Sequence, residues 1–211
     1  CMQSEGVLPD VVTFICVLKA CGITRAIEKG DQIYEEILSR NLLAKDTTLG
    51  TALVDMYAKC GMLAKAHQVL ENLPVQNVVS WNAMIAGYVQ MGFGDEALNC
   101  FQQMRYDCLS PSSSTFALVL SASGCLGSAK QGQEIHAEIV KEGLLKENIL
   151  VGNALVDMYA KCGAIAKARE VFNKVPIRDM VSWNAIITGY AQHGYFEEAL
   201  NCFEKMQHDG L

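Results

Sequence analysis

Apolar residues recur at spacings of three and four along most of the chain, the period of one face of an α-helix. In residues 150–162, Val151, Leu155, Met158, Tyr159 and Cys162 fall on such a face. Gly163 follows as a C-cap suited to the left-handed region. Residues 164–174 place Ile165, Ala168, Val171 and Phe172 on one face, and Pro176 bars further helix. The pattern predicts two helices joined by a tight turn. The same logic gives a first helix over 79–91, Gly92 and Gly94 at the turn, and a second helix over 95–106. Asp95 with Glu96, and Glu197 with Glu198, then occupy first turns, where carboxylates favour the helix dipole. Ala66, Ala97, Ala168 and Ala199 recur at the seam of each pair and let two helices approach closely.

The pairs belong to a longer period. Shifted by 102 positions, the sequence overlays itself with 49 of 109 positions identical and no gap, which chance does not produce. Val54 to Gly61 returns unchanged at Val156 to Gly163, Val79 to Ala83 at Val181 to Ala185, and Glu96 to Phe101 at Glu198 to Phe203. Within each period, segments opening at Thr13-Phe14, Gly50-Thr51 and Trp81-Asn82 share a pattern. They divide the chain into a long repeat at 11–46, a short one at 47–77 and a standard one at 78–112. A long repeat at 113–148, a short one at 149–179 and a truncated standard one at 180–211 follow, and residues 1–10 read as the tail of a preceding repeat. One helical hairpin cannot bury its apolar face alone, so stacked neighbours must complete the core. The expected fold is all-α, a right-handed solenoid of stacked antiparallel helix-turn-helix repeats.

Composition narrows the chemistry. No stretch approaches the roughly 18 uninterrupted apolar residues of a membrane span, and no membrane partner is expected. The formal net charge of −6 argues against indiscriminate phosphate binding, which draws on a broad basic surface. Nine cysteines include repeat-equivalent pairs, Cys60 with Cys162 and Cys100 with Cys202, and no Cys-x-x-Cys. The recurring, apolar-flanked cysteines read as small core residues in a reducing compartment. The chain opens on Cys1 without a targeting signal and breaks off within a pattern completed elsewhere. It is therefore expected to be an excerpt of a longer polypeptide.

The spacing of 36, 31 and 35 residues, with Val-Ser-Trp-Asn-Ala, Val-Leu-Lys-Ala-Cys-Gly and Ala-Leu-Val-Asp-Met-Tyr-Ala-Lys-Cys-Gly, resembles the pentatricopeptide repeat proteins. The resemblance is to the plant-type subclass that alternates standard, long and short repeats, and it covers essentially the whole chain. The tetratricopeptide signature Trp-x-x-Leu-Gly is absent, because Trp81 and Trp183 are each followed by Asn-Ala. Both tryptophans read as core residues rather than base-stacking platforms.

The resemblance implies single-stranded RNA as partner, read one base per repeat by two or three side chains. It assigns the reading to the fifth and last residues of standard and short repeats, and packing on the base face to the second. The fifth residues are Thr51, Asn82, Asn153 and Asn184; the last are Asn77, Ser112 and Asp179, with Asp10 closing the leading repeat. An acceptor-only Asp suits the ring N–H of U or G, whereas Asn or Ser can donate to the ring acceptor of A or C. Asn at the fifth position reaches a smaller pyrimidine, and shorter Thr leaves room for a purine. Thr51 with Asn77 then implies A, Asn82 with Ser112 C, Asn153 with Asp179 U, and Asn184 a pyrimidine. The long repeats carry Ile15 and Ala117, which cannot hydrogen-bond a base edge. The implied footprint is 5′-(U/G)-N-A-C-N-U-Y-3′. A helix cap is the competing reading for the polar positions. Thr48, Val79, Leu150 and Val181 are the base-face residues, with ordinary packing as the alternative. Lys59 and Lys161 are placed to meet phosphates or, equally, to be solvated helix residues.

His136-Ala137-Glu138 matches the His-x-Glu of zinc deaminases, but the Pro-Cys-x-x-Cys arm that chemistry needs is absent, and Tyr34 stands at the equivalent of His136. No metal, cofactor, small-molecule substrate or catalytic residue is expected of this chain. By resemblance the RNA reading places it in a mitochondrion or chloroplast. It would guide RNA processing or C-to-U editing, with any catalytic domain outside this segment and accessory editing factors docking on the long repeats. The rival reading is a protein-interaction scaffold of helical hairpins.

Overall fold

The computed structural model describes residues 9–44 and 46–210, apart from the side chains of 146 and 147. Among the described residues the chain forms thirteen α-helices and no strand, and none of these helices is long and apolar enough to cross a membrane. Two compact units are distinguished, Cys1–Met91 with Cys100–Ser110, and Gly92–Asn99 with Pro111–Leu211.

In the first unit, α1 (Val11–Thr24), α3 (Thr47–Lys59) and α5 (Val78–Gln90) lie side by side as one layer. Helices α2 (Ile27–Ser39) and α4 (Leu63–Glu71) pack behind, each against its own first helix and the next one. Their shared core buries Leu18, Ile37, Leu49, Leu53, Met56, Leu70, Met84 and Ile85 completely. Helix α6 (Gly94–Tyr106) follows, with Asp95 and Glu96 in its first turn.

The second unit repeats the plan. Helices α7 (Ser113–Cys125), α10 (Ile149–Lys161) and α12 (Met180–Gln192) form the front layer. Helices α8 (Ala129–Lys141), α11 (Ile165–Lys174) and α13 (Phe196–His208) pair with them from behind, and the single turn α9 (Leu144–Glu147) precedes α10. Ile165, Ala168, Val171 and Phe172 are all buried, the face expected of 164–174. The seam alanines Ala66, Ala97, Ala168 and Ala199 are buried as well.

Glycine does two jobs. At the hairpin turns Gly92 and Gly163 adopt φ of +80° and +72°, where a side chain would be strained. Gly94, expected at a turn, is instead the first residue of α6. A Cβ there would come within 2.6 Å of Leu126 Cγ, so close packing rather than turn geometry explains it. Neighbouring front helices also touch at backbone level. A Cβ on Gly87 would sit 2.7 Å from Ala58 Cβ, and one on Gly189 2.6 Å from Ala160 Cβ.

Trp81 and Trp183 are buried, and Phe172 meets the Trp183 ring edge-on at 4.8 Å, as core packing requires. The cysteines from Cys16 onward are free thiols. Cys60 and Cys162 hold equivalent places, their Sγ atoms 3.7 Å from the carbonyls of Cys21 and Ser123 respectively. Burial pushes both thiols above their ordinary pKa, which keeps them protonated and unreactive.

Candidate nucleic-acid interface

Every front helix opens on a polar cap, and the caps are the residues that close the repeats as the sequence divides them. Asp10, Asp46, Asn77, Ser112, Asn148 and Asp179 precede α1, α3, α5, α7, α10 and α12. Each accepts a hydrogen bond from a backbone N–H of the first turn, a group that has no partner inside the helix. Asn77, Ser112 and Asp179 form complete capping boxes with Ser80, Thr115 and Ser182.

In Asn77, Asp10 and Asp179 capping engages one side-chain atom and leaves the other. Asn77 receives the Val79 and Ser80 N–H groups on Oδ1, at 2.9 Å each, so its amide N–H pair takes no part in the cap. Asp10 receives both the N–H and the hydroxyl of Thr13 on Oδ1, and these bonds hold its carboxyl below the ordinary pKa. Asp179 receives the Ser182 N–H on Oδ1, and Ser182 Oγ lies 3.0 Å from the same oxygen. Burial works to raise the Asp179 pKa, but the hydrogen bonds from Ser182, Asn153 and Val181 outweigh it, and the group stays ionised below its usual range. A cap and a second hydrogen-bonding role are therefore compatible in these three residues.

The fifth residue of a repeat lies one turn into the front helix. In the second short repeat Asn153 Nδ2 donates to Asp179 Oδ1 at 3.0 Å, while Ser182 Oγ donates to Asn153 Oδ1. The fifth and last residues, 26 apart in sequence, thus meet across α10 and α12. Asn153 is only 8% exposed, the least accessible of the expected readers. Asn184, at the equivalent place on α12, is exposed. In the first unit Thr51 and Asn82 are both half-buried on the adjacent helices α3 and α5, and Thr51 Oγ1 donates to Thr47 O at 3.1 Å. Ile15 and Ala117 are half-buried at the same place in α1 and α7.

The second residues form an exposed apolar series. Val79 (63%), Leu150 (47%) and Val181 (58%) stand in solvent, as do Thr48 and, in the first long repeat, Val12. Core packing does not account for apolar side chains held this far out. Lys59 and Lys161 end α3 and α10, and each is ion-paired at 2.7 Å within its own helix, to Asp55 and Asp157. Their stems lie against the preceding front helix, within 3.3 Å of a Cβ built on Gly22 and 3.2 Å of one on Gly124. Both lysine side chains are just over two-fifths exposed.

Sequence reasoning passed over Asp46 and Asn148. They close the two long repeats and cap α3 and α10 as the other closing residues do. Their signal in the sequence is an Asp or Asn immediately before a helical pattern, in repeats whose fifth residues, Ile15 and Ala117, are apolar. His136 packs in a different way from a metal ligand. Its Nδ1 is 2.9 Å from Tyr159 Oη, and among the described residues no group of three or more His, Cys, Asp or Glu side chains is arranged to hold a metal ion.

A family model described as "PPR repeat" matches residues 51–78, 153–178 and 181–211, and one described as "PPR repeat family" matches 76–123. The chain belongs to the pentatricopeptide repeat family. A pentatricopeptide repeat-containing protein of Arabidopsis thaliana is 42% identical over 212 residues, covering 100% of this chain and 25% of its own length. A chloroplastic pentatricopeptide repeat-containing protein of the same plant is 39% identical over 206 residues, covering 97% of this chain and 39% of its own length. The chain thus spans roughly a quarter to two-fifths of the curated relatives it matches. Among solved structures, the pentatricopeptide repeat protein PPR10 in complex with an 18-nt psaJ RNA element superposes with a TM-score of 0.79 at 18% identity. The match covers 100% of this chain and 31% of that one. The same protein from maize, in another crystal structure, gives 0.64 at 21% identity, over 100% of this chain and 36% of that one. At these identities the likeness establishes the fold, an α-solenoid of stacked helical hairpins.

Proposed function

We propose that this pentatricopeptide repeat segment binds single-stranded RNA and reads one base with each standard or short repeat. The observation that carries the proposal is the Asn153–Asp179 hydrogen bond, which brings the two expected reading residues of one repeat to a single point at the N-terminal end of the front helices. The exposed second residues beside them offer an apolar face for a base, and stacking or packing on such faces is how single strands are gripped without sequence cost. The structural neighbour PPR10 is described in complex with an RNA element, and relatives described as chloroplastic or mitochondrial support an organellar setting.

We read the repeat order as that of the alternating standard, long and short subclass, and the proposed reading residues would specify 5′-(U/G)-N-A-C-N-U-Y-3′. We assign it a guiding role in organellar RNA processing or C-to-U editing, with the chemistry supplied by a domain or protein outside this segment. Accessory editing factors would dock on the long repeats. The net charge of −6 favours a few placed contacts over a broad phosphate grip. If Lys59 and Lys161 each neutralise one phosphate, log K should fall with log salt at a slope of about −1.4. Filter binding against this RNA and a base-shuffled control, over a salt series, tests the reading. Equal affinity for the two RNAs would remove sequence reading, and no affinity for either would leave the protein scaffold as the function.

A further inference from the structure

Behind α12, on the face away from Asn184, lies a cavity of about 220 Å³ bounded by α11, α12 and α13. Ile186, two residues on from Asn184, is turned about 200° around the helix from it, and Tyr190 lies on the same side as Ile186. Three cations line the space, Arg169, Arg178 and Lys205, against one carboxylate, Glu198. In a chain of net charge −6 this is a locally positive site.

The cations are not a feature of the repeat. The residues 102 positions earlier are His67, Gln76 and Gln103, while Glu96 keeps the carboxylate. The surrounding frame is shared in part: Trp81, Tyr88, Asn99 and Cys100 stand at the places of Trp183, Tyr190, Asn201 and Cys202, while Leu70, Glu71 and Met84 replace Phe172, Asn173 and Ile186. The second unit thus carries arginine or lysine at three points where the first unit carries His67, Gln76 and Gln103.

Arg178 is held in place. Its Nε donates to Phe172 O at 3.1 Å, one Nη donates to Asn173 O at 3.2 Å, and the guanidinium lies 5.0 Å over the Phe172 ring. The other Nη makes neither bond, so a pre-oriented donor pair remains. Lys205 has no ion pair among the described residues and supplies a mobile charge from α13. The indole N–H of Trp183, in the cavity wall, is buried without an acceptor, as that of Trp81 is in the first unit.

We infer that this cavity binds a small phosphate monoester. A monoester is close to dianionic at neutral pH, which matches the excess of two positive charges, whereas each RNA phosphodiester carries one negative charge. Arginine forks favour planar oxyanion faces, and lysine adds a point charge. The volume would hold about seven waters, more than a phosphate fills, and Phe172, Trp183 and Tyr190 provide an apolar wall for a compact organic group. The inference stands apart from the RNA reading, since it uses none of the reading residues.

Isothermal titration of the 211-residue chain with ribose 5-phosphate, which has no base for the front helices to read, tests this directly. Saturable binding is expected, with none for ribose. Lys205→Gln and Arg178→Gln, which install the residues found at 103 and 76, should each weaken it about tenfold, while Asn184→Ala leaves it unchanged. Lys205 is exposed, so its variant keeps the test valid if Arg178→Gln loosens the loop. Three results would overturn the inference: no saturable heat at millimolar ribose 5-phosphate, equal binding of ribose, or full affinity in Lys205→Gln. Displacement of the sugar phosphate by single-stranded RNA lacking a terminal phosphate would also overturn it, by merging the cavity with the RNA path.

Discussion

Asn153 donates from Nδ2 to Asp179 Oδ1 over 3.0 Å, so the fifth residue of one repeat is tied to the residue that closes it. The bond fixes which faces of both side chains remain. Asp179 is ionised and acceptor-only, with Oδ1 committed to Ser182 and Asn153. Asp179→Asn keeps a good N-cap, removes the negative charge and adds an amide donor. The variant should stay folded, losing no more than the Asp179→Ala change does, and shift preference at that base from U toward C, by about 1–3 kcal/mol. Fluorescence anisotropy with RNAs differing at that one base reads the shift, and an unchanged ranking of U and C would remove Asp179 from the readers.

The same cap links charge to stability. Because the Asp179 carboxyl titrates below its ordinary value in the folded protein, its contribution is present above about pH 3.9 and is lost as pH falls through the lower folded pKa. Asp179→Ala, which removes cap and charge together, should cost about 0.5–2 kcal/mol at pH 7 in urea titrations. That deficit should shrink as the pH is taken well below 3.

In the first unit Asn82 stands at the fifth position of α5, half-buried. Asn82→Thr shortens the side chain and should move preference at that base alone from C toward a purine. A lost or mismatched polar contact there is worth about 1–3 kcal/mol. Binding that falls equally for every sequence would mean that Asn82 supports the helix rather than the base.

Much of this arrangement can be read before any coordinates. Apolar spacing and turn glycines place the helices, because both are local: a helical face is set by neighbours three and four apart, and Gly163 meets a φ only glycine takes easily. What escapes is what depends on packing between helices. Gly94 looks like a second turn residue, yet its reason is Leu126, 32 positions on, against which a Cβ would clash. The near-burial of Asn153 escapes for the same cause, since Ser182 and Asp179 close over it from the next front helix. An Asp before a helix says cap, and only the fold says that this cap and a fifth residue share a bond.

Close packing of the front layer gives a prediction independent of RNA. Gly87→Ala and Gly189→Ala place a Cβ 2.7 Å and 2.6 Å from the Cβ atoms of Ala58 and Ala160, atoms that a rotamer change cannot move. Each should destabilise its unit by about 1–3 kcal/mol. Gly92→Ala, with φ of +80° and nothing within 4 Å, should be the milder change, acting by backbone strain alone. Denaturation midpoints of the three variants give the order, and a Gly189→Ala protein as stable as the parent would show that the helices can slide apart at no cost.

The two units differ where a tyrosine hydroxyl finds its partner. Tyr57 Oη donates to Asp31 Oδ1 at 2.7 Å, and Lys65 Nζ meets the same carboxylate at 2.9 Å. In the second unit His136 takes over, its Nδ1 2.9 Å from Tyr159 Oη. Burial is the main cause that holds His136 below the ordinary histidine pKa, with Lys174 and Lys167 lowering it further and Glu170 opposing them. The folded protein therefore binds fewer protons here than the unfolded chain does. Stability from this site is complete above about pH 6.5 and declines as pH falls toward the folded value. His136→Tyr installs the residue found at Tyr34, whose ring meets Tyr57 edge-on at 6.0 Å in the first unit. Urea titrations at pH 7.5 and about pH 5 should show a smaller loss on acidification for the variant than for the parent, with the other histidines common to both. An identical loss would mean that His136 protonates as freely when folded as when unfolded.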